Sequence, residues 1–388
     1  MRLEARGNRS EAEKFLALNL QPPTSIDLHE GLVMPYTLWF QKAGKEALYL
    51  VGGKNASLGE LIRADIPVPP GFSVTTEAYQ EFLIEGGLKE KIEKILSPMR
   101  LEDVASLEEA SKTIRELIRT TPLPKGIEEV ISSNYQALCQ VCDVMDIPVA
   151  VRSSATAEDL PGASFAGQQD TFLWVRGDEE VLEKIKSCMS SLFTARAISY
   201  RIKMGFPHEK VLISVGVQKI VDARAAGVMF TLDPLNGDPS KVVIEGSWGL
   251  GETVVSGQVN PDKFVVDKVT KEIQRTISQK WTECIFDPEK GMVCHLDIPR
   301  ERQEIQCIED EEILELARYA KKIEEYYRSP QDIEWAIDKG KPFPLNIFLV
   351  QSRPETVWSQ KKKEPVLVKK SAYDLLMEKA LQRIKVQS

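Results

Sequence analysis

Residues 148–175 read P-V-A-V-R-S-S-A-T-A-E-D-L-P-G-A-S-F-A-G-Q-Q-D-T-F-L-W-V, and few folds accommodate such a stretch. Its ends, Pro148 to Arg152 and Thr171 to Val175, are apolar and β-branched, which predicts two strands. The residues between them are almost all small, polar or glycine. The pattern predicts a hairpin closed by a long, mobile flap, and a connection of that size points to a binding loop or lid rather than a plain turn. Gly162 and Gly167 would let the backbone approach a ligand, Ser153, Ser154 and Thr156 offer hydroxyl donors, and Arg152 stands where strand gives way to loop. Such a flap suits a polyphosphate. A solvated Gly/Ser linker has the same composition, so the stretch alone leaves both readings open.

The rest of the chain narrows the class. Its 388 residues allow two or three domains, and 43% hydrophobic content with 28% charge is ordinary for a globular protein with a sizeable core. A formal charge of -8 gives no electrostatic reason to bind nucleic acid or an anionic membrane, and no apolar run approaches spanning length. The N-terminus has Arg2, Arg6 and Arg9 with no apolar core behind them, so a cytoplasmic chain with reduced thiols is expected. Cys139 and Cys142 form a C-x-x-C, but no second pair or nearby histidine completes a zinc set, which favours core packing. The three histidines, His29, His208 and His295, share no repeated context.

In chain order, A-L-Y-L-V-G-G-K-N-A-S-L-G-E-L predicts a short strand, a turn at Gly52-Gly53-Lys54 and an amphipathic helix. Free helix N–H groups and the Lys54 ammonium could face a phosphate there, although this is not a Walker motif and an ordinary strand-to-helix turn looks the same. I-P-V-P-P-G-F-S-V-T-T predicts an extended path, with Thr75 or Thr76 capping the next helix. Helical spacing continues to about Leu138. After the flap come a helix carrying Arg196 and Arg201, which could reach a phosphate or solvate a face, and a strand, Val211 to Val221, carrying Gln218 and Lys219. A-A-G-V-M-F-T-L-D-P, K-V-V-I-E-G-S-W-G-L-G-E-T-V-V-S-G and D-K-F-V-V-D read mostly as strands. An acidic helix follows from about Asp310 to Tyr327.

The last informative piece is Q-D-I-E-W-A-I-D followed by N-I-F-L-V-Q-S-R-P-E-T. Alternate residues of a strand share a face, so Asp332 and Glu334 point together, as do Gln351 and Arg353. Pairing of these strands would gather two carboxylates, an amide and a guanidinium, the parts of a magnesium-polyphosphate site. A salt-bridged surface hairpin would need the same residues.

Taken together, V-G-G-K-N-A-S-L-G-E-L, I-P-V-P-P-G-F, V-A-V-R-S-S-A-T-A-E-D-L-P-G-A-S-F-A-G-Q-Q-D-T, G-V-M-F-T-L-D-P, G-S-W-G-L-G-E-T-V-V-S-G, D-I-E-W and Q-S-R-P-E-T form an ordered set. Over roughly residues 46–358 it resembles the ATP-binding domain of phosphoenolpyruvate synthase (pyruvate, water dikinase) and its dikinase relatives. The resemblance implies an α+β ATP-grasp fold, two lobes clamping ATP between β-sheets. It divides the chain into an extension over 1–36, a first lobe over 37–207, a second lobe over 208–358 and a tail helix over 359–388. It also implies that Lys54 and Arg152 contact phosphates under a flap that includes Gly167, Gln168 and Thr171, and that Gln218 lies near the adenine. Glu334 and Gln351 would bind Mg2+, with Asp332 beside them and Arg353 on the phosphates; Lys54, Arg152, Asp332 and Arg353 would carry the catalysis.

Family members pass the β-phosphoryl group of ATP to a histidine on a swivelling domain, releasing AMP and phosphate. The T-S-H context of that histidine and the C-terminal pyruvate-binding barrel are absent from this sequence, so a histidine-bearing partner subunit or domain and a small-molecule acceptor are expected. The arrangement is similar to phenylphosphate synthase, in which an ATP-binding subunit works with a separate histidine subunit, and phenol is then the expected acceptor. The extension and tail fit a complete small polypeptide. The alternatives are the ATP-binding part of a phosphoenolpyruvate synthase or of a rifampicin-type phosphotransferase, and a noncatalytic ATP sensor.

Overall fold

The structure is a computed structural model that describes residues 35–100, 103–156, 159–160, 163–164 and 170–358. The expected extension and tail lie almost wholly outside the described residues, as do Gly162, Gly167 and Gln168. The fold class is α+β, built on two antiparallel sheets.

The first lobe holds β1 (Thr37–Trp39), β2 (Gly71–Val74), β3 (Val149–Ala155), the small ladder β4 (Asp159–Leu160) and β5 (Ala163–Ser164), then β6 (Thr171–Val175) and β7 (Ile213–Lys219). Five of these strands form a sheet in the order β1-β2-β7-β3-β6. Its inner face, with Phe72, Val149, Val151, Val215 and Val217, packs on the helices α2 (Thr76–Glu85), α3 (Lys89–Leu96), α4 (Val104–Thr120), α5 (Lys125–Cys142), α6 (Asp178–Ser190) and α7 (Ala195–Met204). Thr75 caps α2 by accepting from the Ala78 amide. Cys139 and Cys142 pack against this core, and burial pushes the Cys142 thiol up. Strands β3 and β6 pair as the expected hairpin, Val149 opposite Val175 and Arg152 opposite Thr171.

The second lobe is a six-stranded sheet, β11 (Ile273–Thr276), β10 (Asp262–Asp267), β9 (Lys241–Trp248), β8 (Ala223–Phe230), β14 (Gln331–Asp338) and β15 (Ile347–Pro354) in spatial order. The acidic helix α8 (Asp310–Tyr327) lays Ile313, Leu316, Ala320 and Ile323 on one face of it, against Ile244, Phe264 and Ile333. A separate hairpin, β12 (Thr282–Asp287) and β13 (Met292–Asp297), stands beside the sheet.

Three expectations need correction. Ile213–Lys219, placed in the second lobe by its position, is the middle strand of the first sheet, flanked by β2 and β3, so the lobes divide after Lys219 rather than at 207. Leu48–Val51 is not a strand: it is the start of helix α1 (Leu48–Arg63), where Leu50 and Val51 pack with Ala43 and Ala56. Glu252–Val255 is a helical turn rather than part of a strand.

Helix α1 breaks at Gly52, whose φ of 70° and ψ of 171° suit glycine alone. A Cβ there would lie 2.3 Å from the Ser154 carbonyl oxygen, so the break also seats the helix against β3. Gly52→Ala should therefore lower unfolding free energy by about 2 kcal/mol or more. Gly257→Ala, at the same φ but with open space around it, should cost less. Urea unfolding of the two variants checks this, and equal losses would mean that the contact with Ser154 contributes nothing.

Candidate functional site

Strands β14 and β15 pair with Asp332 opposite Arg353 and Glu334 opposite Gln351. The two-residue repeat of a strand thus sets a carboxylate against a cation at one rung and a carboxylate against an amide at the next. Ile333 and Trp335 point the other way, into the core of the second lobe. The faces are those that the alternation in the sequence predicts, and the register carries a bulge between Glu334 and Trp335.

Arg152 reaches this face from β3 of the other lobe. Its Nη1 donates to the Val350 carbonyl at 2.9 Å, and its Nη2 donates to Gln351 Oε1 at 2.9 Å and Glu334 Oε2 at 3.2 Å. Arg152 and Glu334 are mostly buried, with side chains 18% and 23% exposed, so the pair is partly shielded from water. Lys54, Asn55, Arg152, Gln218 and Gln351 line one narrow cleft, with Phe40 and Leu58 forming an apolar wall. Lys54 Nζ donates to the Ser153 carbonyl at 3.4 Å. Gln218 enters from β7, so it belongs to the first lobe, and its Nε2 donates to the Pro69 carbonyl at 3.4 Å.

Arg353 is paired with Asp332, Nε and Nη2 at 2.8 and 2.7 Å from the same carboxylate oxygen. Burial pushes the Asp332 carboxyl above its usual range, against the opposite pull of Arg353. Thr171 is exposed at the start of β6, across from Arg152. Arg201 corrects an expectation: it neither reaches the cleft nor solvates a face. It is 1% exposed, donates through Nε to His208 Nδ1 at 2.8 Å and through Nη2 to the Leu192 carbonyl at 2.6 Å. Burial and the Arg201 charge hold His208 down to about 4, a neutral acceptor engaged in the wall of the lobe. His295 sits on the exposed hairpin strand β13, and His29 lies outside the described residues.

Several contributors were not singled out in the sequence, although Asn55, Ser57 and Glu60 lie within V-G-G-K-N-A-S-L-G-E-L. Asn55, 2% exposed, donates from Nδ2 to Ser214 Oγ at 3.2 Å and from its amide to Ser154 Oγ at 3.4 Å, pinning α1 beside Lys54. Gly216 is glycine because a Cβ would meet Asn55 Oδ1 at 2.5 Å. The far half of α1 is tied to the second lobe: Ser57 Oγ donates to the Ser352 carbonyl at 2.6 Å, and Tyr326 OH to Glu60 Oε2 at 2.9 Å. Lys54 therefore rides on a helix held by both lobes. At the flap base Trp174, with a φ of 63°, stacks on Phe286 of β12 with ring centres 4.5 Å apart. A backbone strained in this way persists only where its surroundings enforce it.

Glu334 Oε2 and Gln351 Oε1 converge on one positively charged nitrogen, which shows that two hard oxygen donors can share a cation here. Among the described residues no three carboxylate, imidazole or thiolate side chains gather as a metal cage. A donor set this small fits magnesium, which keeps waters and substrate phosphate oxygens in its shell.

The family model described as the pyruvate phosphate dikinase AMP/ATP-binding domain matches residues 48–373. A probable phosphoenolpyruvate synthase of Staphylothermus marinus is 46% identical over 358 residues, covering 87% of this chain and 43% of its own. The phosphoenolpyruvate synthases of Aeropyrum pernix and Helicobacter pylori are each 45% identical, covering 84% and 85% of this chain and 43% of their own. The chain thus spans less than half the length of these relatives. Among the described residues no helix is long and apolar enough to cross a membrane.

Proposed function

The chain belongs to the family of the pyruvate phosphate dikinase AMP/ATP-binding domain, and from that premise we propose that it clamps Mg-ATP between its sheets as the nucleotide half of a dikinase-type phosphotransferase. The observation that carries this reading is the meeting of Lys54, Arg152, Gln218 and Gln351 on one cleft, with Glu334 against Arg152, from two different lobes.

In this reading Lys54 and Arg152 hold the phosphates, Gln218 faces the adenine, and Thr171 contacts the phosphate chain, a role also proposed for Gly167 and Gln168, which lie outside the described residues. Glu334 and Gln351 hold magnesium, which supplies charge neutralisation when bound, while Asp332 keeps Arg353 aimed at the phosphates. A histidine imidazole nitrogen, brought by a partner subunit or domain, attacks the β-phosphorus. The bond from that phosphorus to the oxygen bridging it to the α-phosphorus breaks, its electron pair leaves on AMP, and the γ-phosphate departs as inorganic phosphate after hydrolysis. The work of the chain is placing and neutralising, which is what phosphoryl transfer needs. The engagement of His208 with buried Arg201 favours an acceptor histidine from elsewhere.

For the final acceptor, relatives named phosphoenolpyruvate synthase favour a pyruvate-type keto acid over phenol, so the phenylphosphate synthase reading takes second place. The test is incubation with Mg-ATP and candidate histidine-bearing proteins. AMP, phosphate and an acid-labile phosphohistidine are expected in equal amounts. Tight ATP binding with no AMP from any partner would leave the noncatalytic sensor instead, and ADP as sole product would rule out the dikinase chemistry.

A further inference from the structure

The oxygens assigned to the metal already hold a cation, and it comes from the opposite lobe. Nη2 of Arg152 lies 3.2 Å from Glu334 Oε2 and 2.9 Å from Gln351 Oε1, while Nη1 is fixed 2.9 Å from the Val350 carbonyl. Three acceptors, two of them on neighbouring residues of β15, set both the position and the plane of the guanidinium. A divalent ion bound by the same two oxygens on the side that Nη2 occupies would sit about 2.1 Å from each and put like charges in contact. On that side, guanidinium and metal compete for the same lone pairs.

We infer that Arg152 is a latch: it competes with the divalent metal for Glu334 and Gln351, and nucleotide phosphate must draw it away before the metal can be held. The inference rests on the assignment of these residues to ATP and magnesium, and adds an order of events to it. A phosphate group offers Arg152 a stronger, doubly accepting partner than one carboxylate oxygen and one amide. The metal alone faces a neutralised site and binds weakly. Phosphate and metal then strengthen one another through Arg152, and linkage makes the effect reciprocal. Because the Arg152 bonds join β3 to β15, release of the latch also frees one tie between the lobes.

The test uses Mn2+ as the probe, its free ion counted by electron paramagnetic resonance. Wild-type protein should bind Mn2+ alone weakly, and about tenfold or more tightly once a non-hydrolysable ATP analogue is present. Phosphate oxygens that ligate the metal would give that result too, so the deciding arm is Arg152→Met without nucleotide. It should bind Mn2+ about tenfold more tightly than wild type, with Arg152→Lys intermediate, since one ammonium cannot span three acceptors. Glu334→Gln should weaken Mn2+ binding in every background. Thermal melts establish folding, and if Arg152→Met does not fold, Arg152→Lys carries the comparison. Mn2+ affinity unchanged or reduced in the folded variants overturns the latch, as does Mn2+ binding indifferent to Glu334→Gln. Failure of the wild type to bind the ATP analogue at all would overturn the proposed function, a separate outcome.

Discussion

Arg152→Ala is expected to lower AMP formation by about a thousandfold or more, the scale of loss when an arginine that neutralises a transferring phosphoryl group is removed. The guanidinium stands at the point where β3 meets β14 and β15, within 3.2 Å of oxygens from both Glu334 and Gln351. Drawn from there onto the phosphates, it would neutralise the charge that develops on the transferring group, a role the metal on Glu334 and Gln351 would fill only in part. Glu334→Ala should cause a loss of similar size by removing one of the two proposed magnesium ligands. The two variants part in metal binding, where removal of Arg152 strengthens Mn2+ and removal of Glu334 weakens it. Misfolding would move both measurements in one direction. The check is AMP release measured chromatographically with a histidine-bearing partner, alongside thermal melts. Turnover within about tenfold of wild type in a folded Arg152→Ala protein would mean that the phosphates lie elsewhere.

Much of the site was legible because strand alternation is a local signal. Asp332 and Glu334 share a face whatever surrounds them, as do Gln351 and Arg353, but the connection D-K-G-K-P-F-P-L-N leaves the register open, and the rungs Asp332–Arg353 and Glu334–Gln351 are set by the pairing of the two strands, bulge included. Helix Asp310–Tyr327 was likewise legible, as an acidic helix with the bounds found, whereas its capping box of Glu309 and Glu312 emerges only in the structure. Strand Ile213–Lys219 shows the limit. Its apolar run says strand, but its sheet is decided by partners at 71–74 and 149–155, more than fifty residues away in sequence. Leu48–Val51 has the residues of a strand and became helical because packing against Ala43 and Ala56 outweighed weak local preference. Arg201 reads as a solvated helix residue, since nothing nearby announces that His208 and the Leu192 carbonyl will give it buried partners. The left-handed backbone at Trp174 has no sequence signal, because tryptophan is a poor choice for that conformation.

Lys280→Met is expected to cost about 3–5 kcal/mol of stability, the usual consequence of removing one member of a buried ion pair. Lys280 and Asp262 are both fully buried, with Nζ 2.6 Å from Oδ1. Lys280 Nζ also donates to the Ser278 carbonyl at 3.0 Å, and Asp262 accepts from the amides of Ser278 at 3.0 Å and Cys307 at 2.9 Å. Methionine fills the space of the lysine stem but leaves a desolvated carboxylate facing two amides without a counter-charge. Asp262→Asn should cost about as much for the opposite reason, a stranded ammonium. The double variant Lys280→Met with Asp262→Asn should recover most of the loss, since the amide oxygen still accepts a backbone N–H and no charge remains buried. Urea unfolding of the four proteins gives the coupling. A single-variant loss under about 1 kcal/mol would mean that water reaches the pair. Lys280 lies just before β12, the strand whose Phe286 stacks on Trp174 at the flap base, and Asp262 opens β10. The single variants should therefore also raise hydrogen exchange in β6.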